Sequence, residues 1–384
     1  MKFLSAATGD KWVDTTPDPA KGPAGEQESA SHLQKLQQLV TDILLSENLV
    51  VLAGLGSSLS VNAVGKPRTA PTMDDLWKGA EAIGGAGFGA LKTQVNYKTP
   101  GGGDNIEVLL SQCHISEMLN PSAEVKNFIE KTEALTVDKC RFVKKDTNLD
   151  VHCSFLRKIA KRSIRKPRVR LFSTNYDLCF ETAARLIRFV VVDGFSHTQP
   201  QEFDGTHFTY DFVRRESERE APDYIANVIH LYKLHGSVDW EIRDGQVVKA
   251  ENPAKPLIIY PRITKFELSY DQPYLELMSR FQSALRLPNT GVLVIGFGFN
   301  DAHIAQPLMA AISANIHLKG IIVDPAAENS KKSDLQTIEK LIKAGDWRLA
   351  LAATSFESFV PIVPDLASET EEEQHRKRMS SARP

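Results

Sequence analysis

Short apolar runs alternate with longer stretches of helical periodicity along most of the chain. Buried strands are expected at 48–53, 169–172, 229–234, 256–260, 291–295 and 320–323, where Val, Ile and Leu follow one another with few polar breaks. Between them, apolar residues recur every three or four positions. Leu33, Leu36, Leu39, Val40, Ile43 and Leu44 mark a helix over 31–47. Similar spacing predicts helices over 106–118, 123–134, 151–163, 178–187, 274–285, 302–314 and 335–343. Strands separated by helices imply an α/β fold, a Rossmann-like doubly wound parallel sheet with helices on both faces. From about 72 to 150 the rhythm breaks: glycine-rich loops at 84–89 and 101–103 separate helices with no strand between them, as in a helical insertion. Residues 1–30 are rich in Pro, Gly, Thr, Ser and charge and read as a flexible arm. The main domain is expected over 31–350, with a C-terminal cap and charged tail over 351–384, loose from Ser368 onward.

Composition narrows the picture little. The 384 residues are 42% hydrophobic and 24% charged with a net charge of -2, which gives no global attraction to nucleic acid or anionic lipid. No apolar run nears the ~20 residues that span a bilayer, and Thr8-Gly9-Asp10-Lys11 cuts the N-terminal stretch too short for a signal peptide. A cytoplasmic protein is expected. Cys113, Cys140, Cys153 and Cys179 are scattered without a C-x-x-C pair, so neither a zinc ribbon nor a disulfide is expected, and no metal is assigned. The basic residues Arg157, Lys158, Lys161, Arg162, Arg165, Lys166, Arg168 and Arg170 lack interleaved aromatics and read as a solvated or partner-facing helix surface. Direct nucleic-acid binding is not expected.

Candidate chemistry lies in four polar islands, each directly after an expected strand. Ala53-Gly54-Leu55-Gly56-Ser57-Ser58 has the context of a phosphate loop, but Leu59 stands where G-x-G-x-x-G needs its third glycine. Ser173-Thr174-Asn175-Tyr176-Asp177 offers an amide that can donate and accept, with Asp177 suited to the start of the next helix. His235-Gly236-Ser237 offers an imidazole, with a glycine that would let a ligand approach. Gly296-Phe297-Gly298-Phe299-Asn300-Asp301 is a glycine-rich turn with an N-cap aspartate, and Asp324 ends the strand after it. Taken singly, each island could be a turn, a cap or a structural histidine.

Together and in this order, A-G-x-G-S-S, S-T-N-Y-D, L-H-G-S and G-F-G-F-N-D resemble the sirtuin family in its bacterial, antiphage-defence branch, over about 49–325. The resemblance implies an NAD-binding catalytic domain. It makes Ala53, Gly54, Gly56, Ser57 and Ser58 the pyrophosphate loop, and Asn175 and His235 the catalytic amide and general base, with Asp177 beside them. Gly236, Gly296, Gly298, Asn300 and Asp324 would contact the dinucleotide. Two features depart from the family: the zinc module with its cysteine pairs is missing, and Lys66-Pro67-Arg68 with 70–74 replaces G-I-P-x-F-R, leaving Arg68 or Asp74 as candidate substitutes.

Without that module, support for a peptide cleft falls away and chemistry on NAD itself remains. Cleaving nicotinamide from ribose passes through an oxocarbenium-like state, and the leaving group departs neutral, so paired carboxylates are not needed. The expected activity is NAD hydrolysis to ADP-ribose and nicotinamide, by an effector that depletes NAD in abortive infection. The resemblance further implies a homo-oligomer working with a hexameric HerA-type DNA-translocating ATPase. An NAD-dependent protein deacylase and a non-catalytic NAD- or ADP-ribose-binding scaffold are the alternatives. No metal-carboxylate cluster for DNA cleavage is evident in the sequence.

Overall fold

The computed structural model describes residues 1–17, 22–62, 68–99, 103–163, 165–215, 223–260 and 272–366. Its strands are β1 (Lys2–Ser5), β2 (Val13–Asp14), β3 (Asn48–Ala53), β4 (Arg170–Ser173), β5 (Val190–Val192), β6 (Val213–Arg214), β7 (Asp223–Tyr224), β8 (Val228–Lys233), β9 (Trp240–Arg243), β10 (Gln246–Lys249), β11 (Thr290–Ile295), β12 (Lys319–Val323) and β13 (Leu349–Ala353). Its helices are α1 (Gly22–Leu44), α2 (Met73–Gly84), α3 (Phe88–Gln94), α4 (Ile106–Leu119), α5 (Ala123–Cys140), α6 (Asp150–Ala160), α7 (Cys179–Leu186), α8 (Tyr274–Arg286), α9 (Ala302–Ala314), α10 (Ser333–Lys343) and α11 (Phe356–Phe359).

Nine strands form one sheet in the order β2-β1-β13-β12-β11-β3-β4-β8-β5. Its centre, β8-β4-β3-β11-β12-β13, is parallel throughout. Ranked along the chain, these six strands run 3-2-1-4-5-6, the doubly wound nucleotide-binding order, which places a topological switch between β3 and β11. Alternate side chains sort to two faces. Leu49, Val51, Ala53, Leu293 and Ile295 join one core with Leu36, Val40, Phe155, Leu156 and Phe359. Val50, Leu52, Phe172, Val292 and Val294 join the other, with Phe281, Ile304, Leu308 and Ile338. Between β3 and β4, helices α2 to α5 carry a separate apolar cluster that includes Trp77, Phe88, Leu109 and Phe128. Among the described residues no helix is long and apolar enough to cross a membrane.

Register positions the site. Ala53 pairs with Ser173 on one side and Ile295 on the other. Ser173 then pairs with Lys233, and Ile295 with Val323. The strand ends therefore lie on one rung, and all the islands leave the sheet from the same edge.

Several expectations change. Lys2–Ser5, expected in a flexible arm, is β1, antiparallel to β13 with Phe3 and Leu4 fully buried. The chain's first ammonium bonds Asp14 at 3.0 Å. Helix α1 starts at Gly22, nine residues before the expected position, because Pro23 in its first turn needs no intrahelical partner for the N–H it lacks. The expected boundary at 350 falls inside β13, whose Leu-Ala-Leu-Ala-Ala run is too short and too small in its side chains to stand out. Residues 256–260 do not form a sheet strand. Leu257 and Ile259 instead donate to Trp240 O and His235 O at 2.7 and 2.8 Å, so the segment folds across the His235 turn. The charged tail from Ser368, together with Lys66 and Pro67, lies outside the described residues.

The basic run has a structural use. Arg162 donates to the carbonyls of Leu44, Ser46 and Glu47 at 2.7 to 2.8 Å, closing the C-terminal end of α1. Lys158 donates to Val360, Pro361 and Val363 carbonyls at 2.6 to 3.3 Å, and Arg168 pairs with Asp211 at 2.9 Å. These cations join chain segments rather than lining a solvated helix face.

Candidate active site

The first two islands lock together. Ala53 ends β3, and its carbonyl accepts from Thr174 N at 3.0 Å. The Asn175 amide group donates to Gly54 O at 3.0 Å, Ser57 Oγ at 3.2 Å and Ser58 Oγ at 2.9 Å. Ser58 in turn donates to Asp177 Oδ2 at 2.8 Å, while Asp177 Oδ1 accepts the Cys179 N–H that opens α7. All these side chains are buried, with Asn175 at 7% exposure. Fixing Nδ2 on three acceptors sets the plane of the amide. Oδ1 is left as its acceptor, with no donor bonded to it among the described residues, and it is suited to a ribose hydroxyl or a water.

Beneath Asp177, the buried Lys233 ammonium donates to the Asp177 carbonyl and pairs with Glu181 at 3.0 Å. Burial works against this charge, but Glu181, then Asp177 and Asp239, outweigh it and hold the Lys233 pKa above the usual lysine value. The thiols nearby are chemically quiet: burial pushes Cys140 up to about 12 and raises Cys179 well above its ordinary value. Cys113 and Cys153 are also free and buried, so no cysteine pair forms a zinc module.

The glycines serve the chain's own close approaches. A Cβ on Gly54 would lie 2.7 Å from Gly296 O, and one on Gly56 would lie 2.5 Å from Gly296 Cα. Gly296 itself has φ +60°, and Gly56 N donates to its carbonyl at 2.9 Å. The first and fourth islands thus cross backbone to backbone over the switch between β3 and β11. Gly236 has φ +80°, and a Cβ there would meet Leu257 O at 2.1 Å. The space expected for a ligand beside Gly236 is occupied by the 257–259 segment.

Gly298 and Asn300 are joined by Lys332, a residue the sequence did not single out. Its ammonium donates to Gly298 O and to Asn300 Oδ1, the latter at 2.7 Å. Burial lowers the Lys332 pKa, with Asp324 acting in the opposite direction. Asp324 also accepts Ala326 N–H at 2.7 Å. The candidate substitutes for the missing segment lie at the start of α2. Arg68 pairs with Asp75 at 2.8 Å, and Asp74 pairs with Lys78 at 2.6 Å on an exposed face.

His235, 2% exposed, meets a second histidine that sequence reasoning missed. Its Nε2 lies 2.8 Å from His303 Nε2, with the rings 4.9 Å apart and inclined by 30°. One nitrogen must donate and the other accept. His303 Nδ1 faces Asp301 Oδ1 at 3.9 Å. The available signal was Asp301-Ala302-His303 at the start of α9, adjoining the fourth island.

Residues 169–343 match the family described as SIR2-like domain. The matched stretch contains Asn175, Asp177, His235, Gly296, Gly298, Asn300 and Asp324, while the Gly54–Ser58 loop lies before it. No curated protein matches the chain. Over that stretch the chain is similar to SIR2-like domains, and the likeness, carried on a Rossmann-like sheet, supports a sirtuin-type function involving NAD.

Proposed function

We propose that the protein hydrolyses NAD to ADP-ribose and nicotinamide. The observation that carries this reading is the Asn175 amide, fixed by Gly54, Ser57 and Ser58 at the sheet's switch point. In the reaction, the bond between the ribose C1′ and the nicotinamide nitrogen breaks, and its electron pair leaves with nicotinamide. A water oxygen bonds to C1′, and its proton passes to the His235 imidazole. Asn175 Oδ1 orients the ribose or the water, so that a fixed group replaces solvent reorganisation. Neutral departure of nicotinamide removes the need for a general acid.

The resemblance of the four islands to defence-associated sirtuins supports a role as an antiphage effector that acts in the cytoplasm by depleting NAD. Unrestrained NAD loss would kill the cell that makes the enzyme, so control through self-assembly and a HerA-type ATPase partner belongs to the same proposal.

Incubation with NAD alone, followed by chromatography of the products, tests the chemistry. Nicotinamide and ADP-ribose are expected without any acylated peptide, from the chain alone or with its ATPase. Asn175→Ala and His235→Ala should each lose at least a hundredfold in rate. Strict dependence on an acyl-peptide would establish a deacylase instead. Equal rates in all three proteins would leave only a nucleotide-binding scaffold.

A further inference from the structure

We propose that His235, His303 and Asp301 form a zinc site that holds the enzyme inactive. His235 sits just beyond β8, and the other two open α9, so the trio unites elements almost seventy residues apart. One ligand atom from each lies within 4.8 Å of the other two. Two imidazoles and a carboxylate are donors suited to Zn²⁺, and three protein ligands leave the fourth tetrahedral position open.

The two imidazoles fit an ion with little movement. Two nitrogens, each about 2.0–2.1 Å from a tetrahedral zinc, stand about 3.3–3.4 Å apart. The observed 2.8 Å between His235 Nε2 and His303 Nε2 needs to open by only about 0.5 Å. In the metal-free state the two nitrogens share one proton, and the ion replaces it.

Asp301 completes the trio. It is the N-cap residue of α9, yet its side chain caps none of the helix N–H groups. Its Oδ1 lies 3.9 Å from His303 Nδ1. His303 also lines a groove of about 750 Å³ with Gln282, Arg286, Gln306, Ala310 and Ala314.

The regulatory consequence rests on the proposed hydrolysis, whereas the metal site does not. An ion on Nε2 takes the lone pair that pairs the histidines, and a dication beside an oxocarbenium-like state opposes its charge. Zinc therefore suppresses hydrolysis, and its removal restores it.

Metal binding decides the site without reference to catalysis. The full chain, stripped with a chelator, is dialysed against ZnCl₂ and analysed for metal. Wild type should bind one zinc per chain. His303→Ala and Asp301→Asn should each weaken binding at least tenfold while retaining the wild-type circular dichroism. Co²⁺ in wild type should give visible ligand-field bands without thiolate charge transfer, a readout that needs no variant. No binding at micromolar zinc, unchanged binding in both variants, or thiolate charge transfer would overturn the site. Activity is then read on stripped and zinc-loaded wild type, where at least a tenfold lower rate with zinc is expected. Equal nonzero rates would overturn the inhibition and leave the site standing. If neither form hydrolyses NAD, the failure lies in the proposed function, and the dialysis result still decides the metal.

Discussion

Replacing Gly296 by alanine tests whether the crossing of the first and fourth islands is a requirement of the chain itself. The residue has φ +60°, and a Cβ would lie 2.4 Å from Ser57 N and 2.5 Å from the Gly56 carbonyl carbon. An L side chain in the left-handed region costs about 1–2 kcal/mol. The overlap is with backbone, so no flexible side chain can swing away, and overpacking of this kind adds about 1–3 kcal/mol. Gly296→Ala should therefore lose about 2–5 kcal/mol in the absence of any ligand. Gly298 is the internal control. A Cβ there would have Lys332 Nζ at 3.5 Å and Asn300 Nδ2 at 3.7 Å, which are ordinary contacts. Gly298→Ala should fall within about 1 kcal/mol of wild type, helped by a smaller loss of chain entropy on folding. Urea unfolding followed by circular dichroism measures both. The reasoning is refuted if Gly296→Ala matches wild type, or if the two variants lose equal stability.

Two further predictions concern buried charge. His152 lies between Phe180 and Phe356, and burial lowers its pKa to about 4; burial also takes His230 to about 4, with Arg170 assisting. Both are neutral in the fold and ordinary near 6.5 when unfolded, so the unfolded chain binds more protons between those values. Stability is fully present above pH 6.5 and falls toward pH 4, by roughly 2 kcal/mol per histidine at pH 5. Urea curves at pH 7.5 and 5.0 should show the loss, and His152→Leu should remove about half of it; a pH-independent midpoint would contradict the assignment. Lys233→Met strips the partner from Glu181, whose side chain keeps 21% exposure, so a cost near the lower end of about 3–5 kcal/mol is expected. Adding Glu181→Leu should restore most of that stability, and a double variant no better than the single would show that the ion pair is not the cause.

The strands that sequence reading found are those buried on both faces, because a continuous apolar run carries its own signal. β3, β8, β11 and β12 are of this kind. β1 and β13 were illegible for complementary reasons. In β1 only Phe3 and Leu4 are large and apolar, and β13 alternates Leu with Ala, so neither resembles a strand until the other lies beside it. Residues 256–260 were misread because a short apolar run specifies burial without specifying its hydrogen-bond partners. Their partners proved to be His235 O and Trp240 O across a turn.

The same division governs the site. Asn175, Asp177, Ser57 and Ser58 were legible as separate islands, and the register that puts Ala53, Ser173 and Ile295 on one rung brings the first two into contact. What a glycine is for cannot be read from its neighbours in sequence. Gly236 looked like an opening for a ligand, but the atom it avoids belongs to Leu257, some twenty residues further on. Partnerships are hidden in the same way. Lys332 and His303 each bond a residue of another segment, Asn300 or His235, and no neighbour in sequence names that partner. Asp301 shows where the two kinds of information meet. Its sequence position says N-cap, and its carbonyl accepts from Ile304 N and Ala305 N, but its side chain makes no cap bond and its Oδ1 lies 3.9 Å from His303 Nδ1.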